Sequence, residues 1–262
     1  MERLMLEVCK WRRMFAVLTI LPAFALAGDQ ILIPLPPGRT VAGAFGSQWK
    51  SELWVYNGGT TPATLALHPG LAGQVFVVPS KGSLELAGNE IVSQPPAVLD
   101  LQDGSDVHVQ MQVRELTRGD AAGVVVPTVA LDHFSVEPQQ LLNIPVQTVY
   151  RTNIRIYAQF TRDAVAGFTV RLFDMDHDGQ SVKERHVTVG APLPLPPAYV
   201  GVSVGFSIVS DFLDSAGPIP HGRLEVIADE PTEFPFWAFA SVTNNSTQQV
   251  LIVAPEAQAT RE

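Results

Sequence analysis

Cysteine is almost missing from this chain: Cys9 is the only one in 262 residues. It precedes the apolar run near the amino terminus, where no lipobox uses it, so a chain that sheds this segment has neither disulfides nor a catalytic thiol. Charge is scarce as well. Asp, Glu, Lys and Arg make up 16% of the residues, against the ~25% usual in soluble domains. The 26 acids outnumber the 17 cations, and the formal net charge of −9 disfavours nucleic acid and anionic membrane surfaces as partners. No stretch of ten residues sustains a helical period, and the prolines within residues 33–38 and 191–197 would interrupt one. Catalytic signatures are equally sparse. Gly-x-Ser-x-Gly occurs once, at residues 201–205, inside an alternating strand-like run and not at a strand-to-helix turn, and no phosphate-cradling glycine loop followed by Lys and Ser or Thr is present. What it holds in quantity is apolar residues, 46%, together with 20 Gly and 21 Pro. That composition excludes disorder and reads as turn-rich sheet.

The amino terminus has the pattern of an export signal. Lys10, Arg12 and Arg13 precede an apolar run over residues 14–25, and Ala25 and Ala27 place small residues where a signal peptidase reads them. A run of about twelve apolar residues is too short to cross a ~30 Å hydrocarbon core as a helix, so we expect a signal peptide over residues 1–27 and not a permanent anchor. Arg12, Arg13 and Phe15 partly resemble a twin-arginine motif, but Trp11 and Ala16 depart from it, and a general secretory signal explains the same arginines. Cleavage after Ala27 removes four cations and two acids, leaving 235 residues with net charge −11. The expected location is extracytoplasmic, periplasmic or secreted, of bacterial type. Without disulfides, stability then comes from burial.

Short runs with period-two alternation recur along the remaining chain, bounded by Gly, Pro, Asn and Asp. The clearest covers residues 49–56. There Trp49, Ser51, Leu53 and Val55 point one way and Lys50, Glu52, Trp54 and Tyr56 the other, and Asn57, Gly58 and Gly59 end the run with residues suited to positive φ. Residues 49–56 (Trp-Lys-Ser-Glu-Leu-Trp-Val-Tyr) match residues 150–157 (Tyr-Arg-Thr-Asn-Ile-Arg-Ile-Tyr) by class at most positions. Residues 107–127 likewise parallel residues 236–255: each is a strand, a polar turn and an apolar exit ending in Pro127 or Pro255. The fold class expected is therefore all-β, with two tandem antiparallel β-sandwich modules over residues 28–140 and 141–262. An insertion is expected in the second, near residues 207–220. In architecture these modules resemble the immunoglobulin-like or fibronectin III-like sandwiches of secreted bacterial proteins, a resemblance that implies a fold and no particular activity.

Four groups of residues carry candidate chemistry. Asp174, Asp176 and Asp178, with Gly179 at the sixth position, have calcium-loop spacing, but Arg185 stands where the bidentate Glu belongs. A polar hairpin tip explains the same residues, and calcium is the only cofactor they suggest. His177 and His186 could join a metal site, though no zinc spacing is present. Asp211, Asp214 and His221 could form an acid/base group in the expected insertion. Trp54, Tyr56 and Trp237 could stack on sugar rings or fill a partner's pocket, or a neighbouring module could cover them. Asn244 and Asn245 open two formal glycosylation sequons that also read as a hairpin turn. The function expected is a non-catalytic binding or scaffolding protein whose partner is a protein or glycan at the cell envelope. A carbohydrate-binding module using the aromatics is the alternative, and a hydrolase with an unrecognised site the second alternative.

Overall fold

The structure, a computed structural model, describes residues 30–43, 46–68, 75–86, 96–103, 106–117, 123–161, 164–177, 179–191, 203–214, 216–230 and 234–255. The expected signal peptide lies outside them. The described chain is all-β, and its helical geometry is limited to short 3-10 turns such as Leu131–His133. None of its helices is long and apolar enough to cross a membrane. The strands in its first part are β1 (Gln30–Ile33), β2 (Thr40–Ala42), β3 (Gln48–Asn57), β4 (Ala63–His68), β5 (Val75–Val78), β6 (Ser83–Leu86), β7 (Ala97–Asp103), β8 (Val107–Glu115), β9 (Val124–Val126) and β10 (Val129–Ala130). Those in its second part are β11 (Gln139–Val146), β12 (Tyr150–Phe160), β13 (Val165–Asp174), β14 (Ser181–Gly190), β15 (Ser203–Val209), β16 (Ile219–Ala228), β17 (Phe236–Asn244) and β18 (Val250–Val253).

These strands form four antiparallel sheets. Sheet A has the order β10-β1-β7-β4-β5, and sheet B the order β2-β3-β8-β9 with β6 also paired to β3. Sheet C runs β15-β12-β17-β18 and sheet D runs β11-β16-β13-β14. The same connectivity thus occurs twice. A central strand, β3 or β12, pairs with a later strand, β8 or β17, which turns back into β9 or β18. The intervening hairpins β4–β5 and β13–β14 join the opposite sheets. The registers agree too: Trp49 faces Glu115 and Tyr56 faces His108, while Tyr150 faces Asn244 and Tyr157 faces Trp237.

Alternation decides which faces are wet. In β3, Leu53 and Val55 are fully buried while Trp54 and Tyr56 stay exposed, as the period-two pattern requires. β17 has no such alternation: Phe236, Trp237, Ala238, Phe239 and Ala240 are all buried. A strand with apolar residues on both faces belongs between two layers, and sheet C is that middle layer. From one face, Ile154, Ile156, Phe160, Phe236 and Val242 meet Phe168, Val170, Leu172 and Val226 of sheet D. From the other, Tyr157, Val204, Trp237 and Phe239 join a cluster with Leu53, Leu99, Met111 and Val126 of sheets A and B.

Two local expectations change. Asn57, Gly58 and Gly59 do end β3, but none of them has positive φ. The turn is closed by the Asn57 side chain, which donates to the Thr61 and Val78 carbonyls at 2.8 and 3.2 Å and accepts from the Gly59 amide at 2.8 Å. A Cβ on Gly58 would meet the Asp106 carboxylate, the end of an exposed side chain that can move aside. The boundary expected at residues 140 and 141 falls inside β11, and sheet membership changes over residues 131–138 instead. β11 was hard to read because Asn143 sits at φ 58° and the strand's pairing with β16 shifts register twice.

Candidate functional site

The outer face of sheet B is where aromatic residues stand exposed among the described residues. Trp54 is 39% exposed and Tyr56 44%. Across the ladders Trp54 is flanked by Gln110 and Glu85, and Tyr56 by His108 and Ser83. Tyr56 stacks on His108 with ring centroids 6.2 Å apart, and His108 in turn lies 3.1 Å from the Asp106 carboxylate. The face therefore offers aromatic rings bordered by hydrogen-bonding groups.

On the same face, two residues before Trp54, Glu52 is buried although its alternation points it outward. Arg114 Nη2 donates to its carboxylate at 2.6 Å and Gln112 Nε2 at 3.1 Å, with Lys50 Nζ at 3.5 Å. Burial alone would raise the Glu52 pKa. The Gln112 hydrogen bond and the charges of Arg114 and Lys50 outweigh it, holding the carboxyl below its ordinary value. This network lies on the same face as the aromatic pair, next to Trp54.

Trp237 does not share that surface. It is 7% exposed, packed against Tyr157 and Phe239 on the inner face of sheet C. By the matched registers Tyr157 corresponds to Tyr56, Arg155 to Trp54 and Trp237 to His108. The Tyr56 position, open in sheet B, is thus covered in sheet C, whereas Arg155 is half-buried. Tyr157 Oη donates to the Pro34 carbonyl at 2.9 Å across this seam. Burial pushes its phenol well above the ordinary range, and the nearby Arg155 guanidinium offsets only part of that.

Asp174 and Asp176 lie on the β13–β14 hairpin tip, and Asp178 lies outside the described residues. The Asp174 carboxylate accepts the Asp176 amide at 2.9 Å and lies 2.7 Å from His177 Nδ1. The amide bond is the main cause that holds its pKa below the ordinary value, with His177 adding to it against a small burial effect. Both oxygens serve the turn. Among the described residues no group of three His, Cys, Asp or Glu is placed to hold a metal ion. His186 lies away from that tip, with Nδ1 3.7 Å from the Asp229 carboxylate.

Asp211 and Asp214 line a cavity of about 710 Å³ with Tyr150, Arg151 and Asn245, but His221 is not among its lining residues. His221 is exposed on β16, so the acid/base trio is not assembled there. Asn244 Oδ1 accepts the Ser246 and Thr247 amides at 2.9 and 3.0 Å, the hairpin turn that its sequence suggested.

Sequence reasoning missed two features. Glu52 reads as a solvated charge until β8 supplies its partners, and the arginines of the seam between sheets B and C come from distant segments. The class defined by this geometry is an all-β protein with one open aromatic sheet face. Searches of protein-family models, curated proteins and solved structures return no match to the chain.

Proposed function

We propose that this chain is a non-catalytic binding protein of the bacterial cell envelope, exported through its amino-terminal signal, and that its binding surface is the outer face of β3 and β8. One observation carries the reading: Trp54 and Tyr56 stand uncovered on a regular sheet face, while in sheet C the counterpart of Tyr56, Tyr157, is fully buried and that of Trp54, Arg155, is half-buried. Aromatic side chains on a rigid sheet present a large apolar area at little entropic cost, and the bordering Gln110, Glu85 and His108 supply directional hydrogen bonds. Such a surface suits a polysaccharide chain.

The test is binding of the mature protein to a broad glycan array, followed by affinity measurement on Trp54→Ala. The expected loss is tenfold or more, on the scale of ~1.4 kcal/mol per factor of ten. Silence across the array, or an unchanged affinity in the variant, would overturn the glycan assignment. A second reading, a protein partner on the same face, is favoured by the molecule itself, since the equivalent face of sheet C is covered by a protein layer. In that case envelope cross-linking through the face is lost in Trp54→Ala while the array stays silent.

A further inference from the structure

A second surface has a different chemistry. Where sheet C meets sheets A and B, the seam is sealed at one end by Tyr157, Trp237 and Phe239 and opens at the other into a cavity of about 280 Å³. Its polar lining includes Arg39, Arg151, Arg155, Asn153, Ser241 and Thr243, and its apolar lining includes Val113, Val126 and Ile252. No acid is among the described lining residues, and no ion pair joins any of the three arginines to a described carboxylate. In a chain with 26 acids to 17 cations, this is a local reversal of sign.

Its origin is legible in the strands. Arg151, Asn153, Arg155 and Tyr157 alternate onto one face of β12, and Ser241 and Thr243 lie beside Asn153 and Arg151 on β17. Arg39 reaches the cavity from the segment between β1 and β2. Three guanidinium groups around one partly enclosed space repel one another, and water screens them less there than at an open surface. An anion relieves that repulsion. The guanidinium fork matches a carboxylate in two parallel hydrogen bonds, while the valines and Ile252 call for an apolar body. The volume falls just below the usual range of ligand sites, roughly 300 to 1,000 Å³, and so admits only a small molecule.

We propose that this seam cavity binds small organic carboxylates, the carboxylate taken by Arg155 and Arg151 with Arg39 at the mouth, and the apolar body seated against Val113, Val126 and Ile252. The site is separate from the Trp54 face and does not depend on it. A ligand that binds only the folded chain raises its melting temperature by mass action.

The experiment uses the mature full chain in low-salt buffer, with benzoate and hexanoate as probes, benzamide as the uncharged counterpart and inorganic phosphate as the anion without an apolar body. Thermal shift and calorimetric titration are expected to show binding of benzoate or hexanoate and not of benzamide, with affinity at least tenfold weaker in Arg155→Gln. Arg39 is exposed, so Arg39→Gln gives the same reading should Arg155→Gln fail to fold. Arg171→Gln, which loses only a surface pair with Glu184 on sheet D, and Trp54→Ala should both retain the response. No binding of either carboxylate at about 10 mM, equal binding of benzamide, or unchanged affinity in the seam variants would overturn the proposal. Binding of phosphate with neither carboxylate would equally overturn it and show a site for bare anions.

Discussion

At the scale of single residues, Glu52 shows how a buried charge is kept. Its carboxylate is enclosed by Arg114, Gln112 and Lys50, so removing the charge leaves those donors short of an acceptor. Glu52→Gln should cost about 1–3 kcal/mol at neutral pH. The pH dependence follows from the depressed pKa. The stabilisation is fully present above the unfolded Glu value of about 4.3 and is lost as pH falls through the lower folded value. Denaturant melts between pH 7 and 3 should show a shallower acid decline in Glu52→Gln than in the parent. Equal slopes would place the acid sensitivity elsewhere. The outward direction of Glu52 was legible from alternation, whereas its burial was not, because that depends on long side chains from β8 some sixty residues away. The same limit hid the seam arginines: Arg151 and Arg155 are visible as alternate positions, but nothing local joins them to Arg39.

At the scale of strands, alternation located β3, β8 and β13 well because each keeps one face wetter than the other. β1, β7 and β11 escaped it for physical reasons. Ala97, Val98 and Leu99 are consecutive buried residues in β7, β1 ends in Leu32 and Ile33 buried together before Pro34, and β11 is bent at Asn143. A continuous apolar run carries no period to detect. Close packing of edge strands gives a prediction here. A Cβ on Gly205 in β15 would run into the Gly190 carbonyl oxygen of β14 and crowd the Phe160 ring. Backbone cannot swing aside as a flexible side chain does, so Gly205→Ala should destabilise by about 1–3 kcal/mol. Gly190→Ala, which has open space around it, should be close to neutral. A chemical-denaturation comparison of the two variants checks this, and equal effects would mean the strands are further apart.

At the scale of the whole molecule, sheet C is the middle layer of the structure. Residues from β12, β15 and β17 complete a hydrophobic cluster that begins at Leu32 and Ile33. On its other side sheet C is tied to sheet D by Gln139, which donates to the Phe236 carbonyl at 2.6 Å and accepts the Ala238 amide at 2.9 Å. A core shared in this way couples the two parts of the chain, so unfolding should be one cooperative transition, with tryptophan fluorescence and circular dichroism coincident. Trp237→Ala should lower stability by about 3–5 kcal/mol and shift both signals together. Two separated transitions in the parent would show that the seam contributes little.

The contrast between an open face in sheet B and its covered counterpart in sheet C is what supports the proposed binding surface. Hydroxyl-radical footprinting of the mature protein, free and with the polysaccharide selected on the array, reads that contrast directly. Trp54, Tyr56 and His108 should be modified in the free protein while Trp237, Tyr157 and Phe239 are protected, and ligand should protect the first group alone. A free protein in which Trp54 and Trp237 react alike, or a ligand footprint that leaves Trp54 and Tyr56 unchanged, would place the binding surface elsewhere.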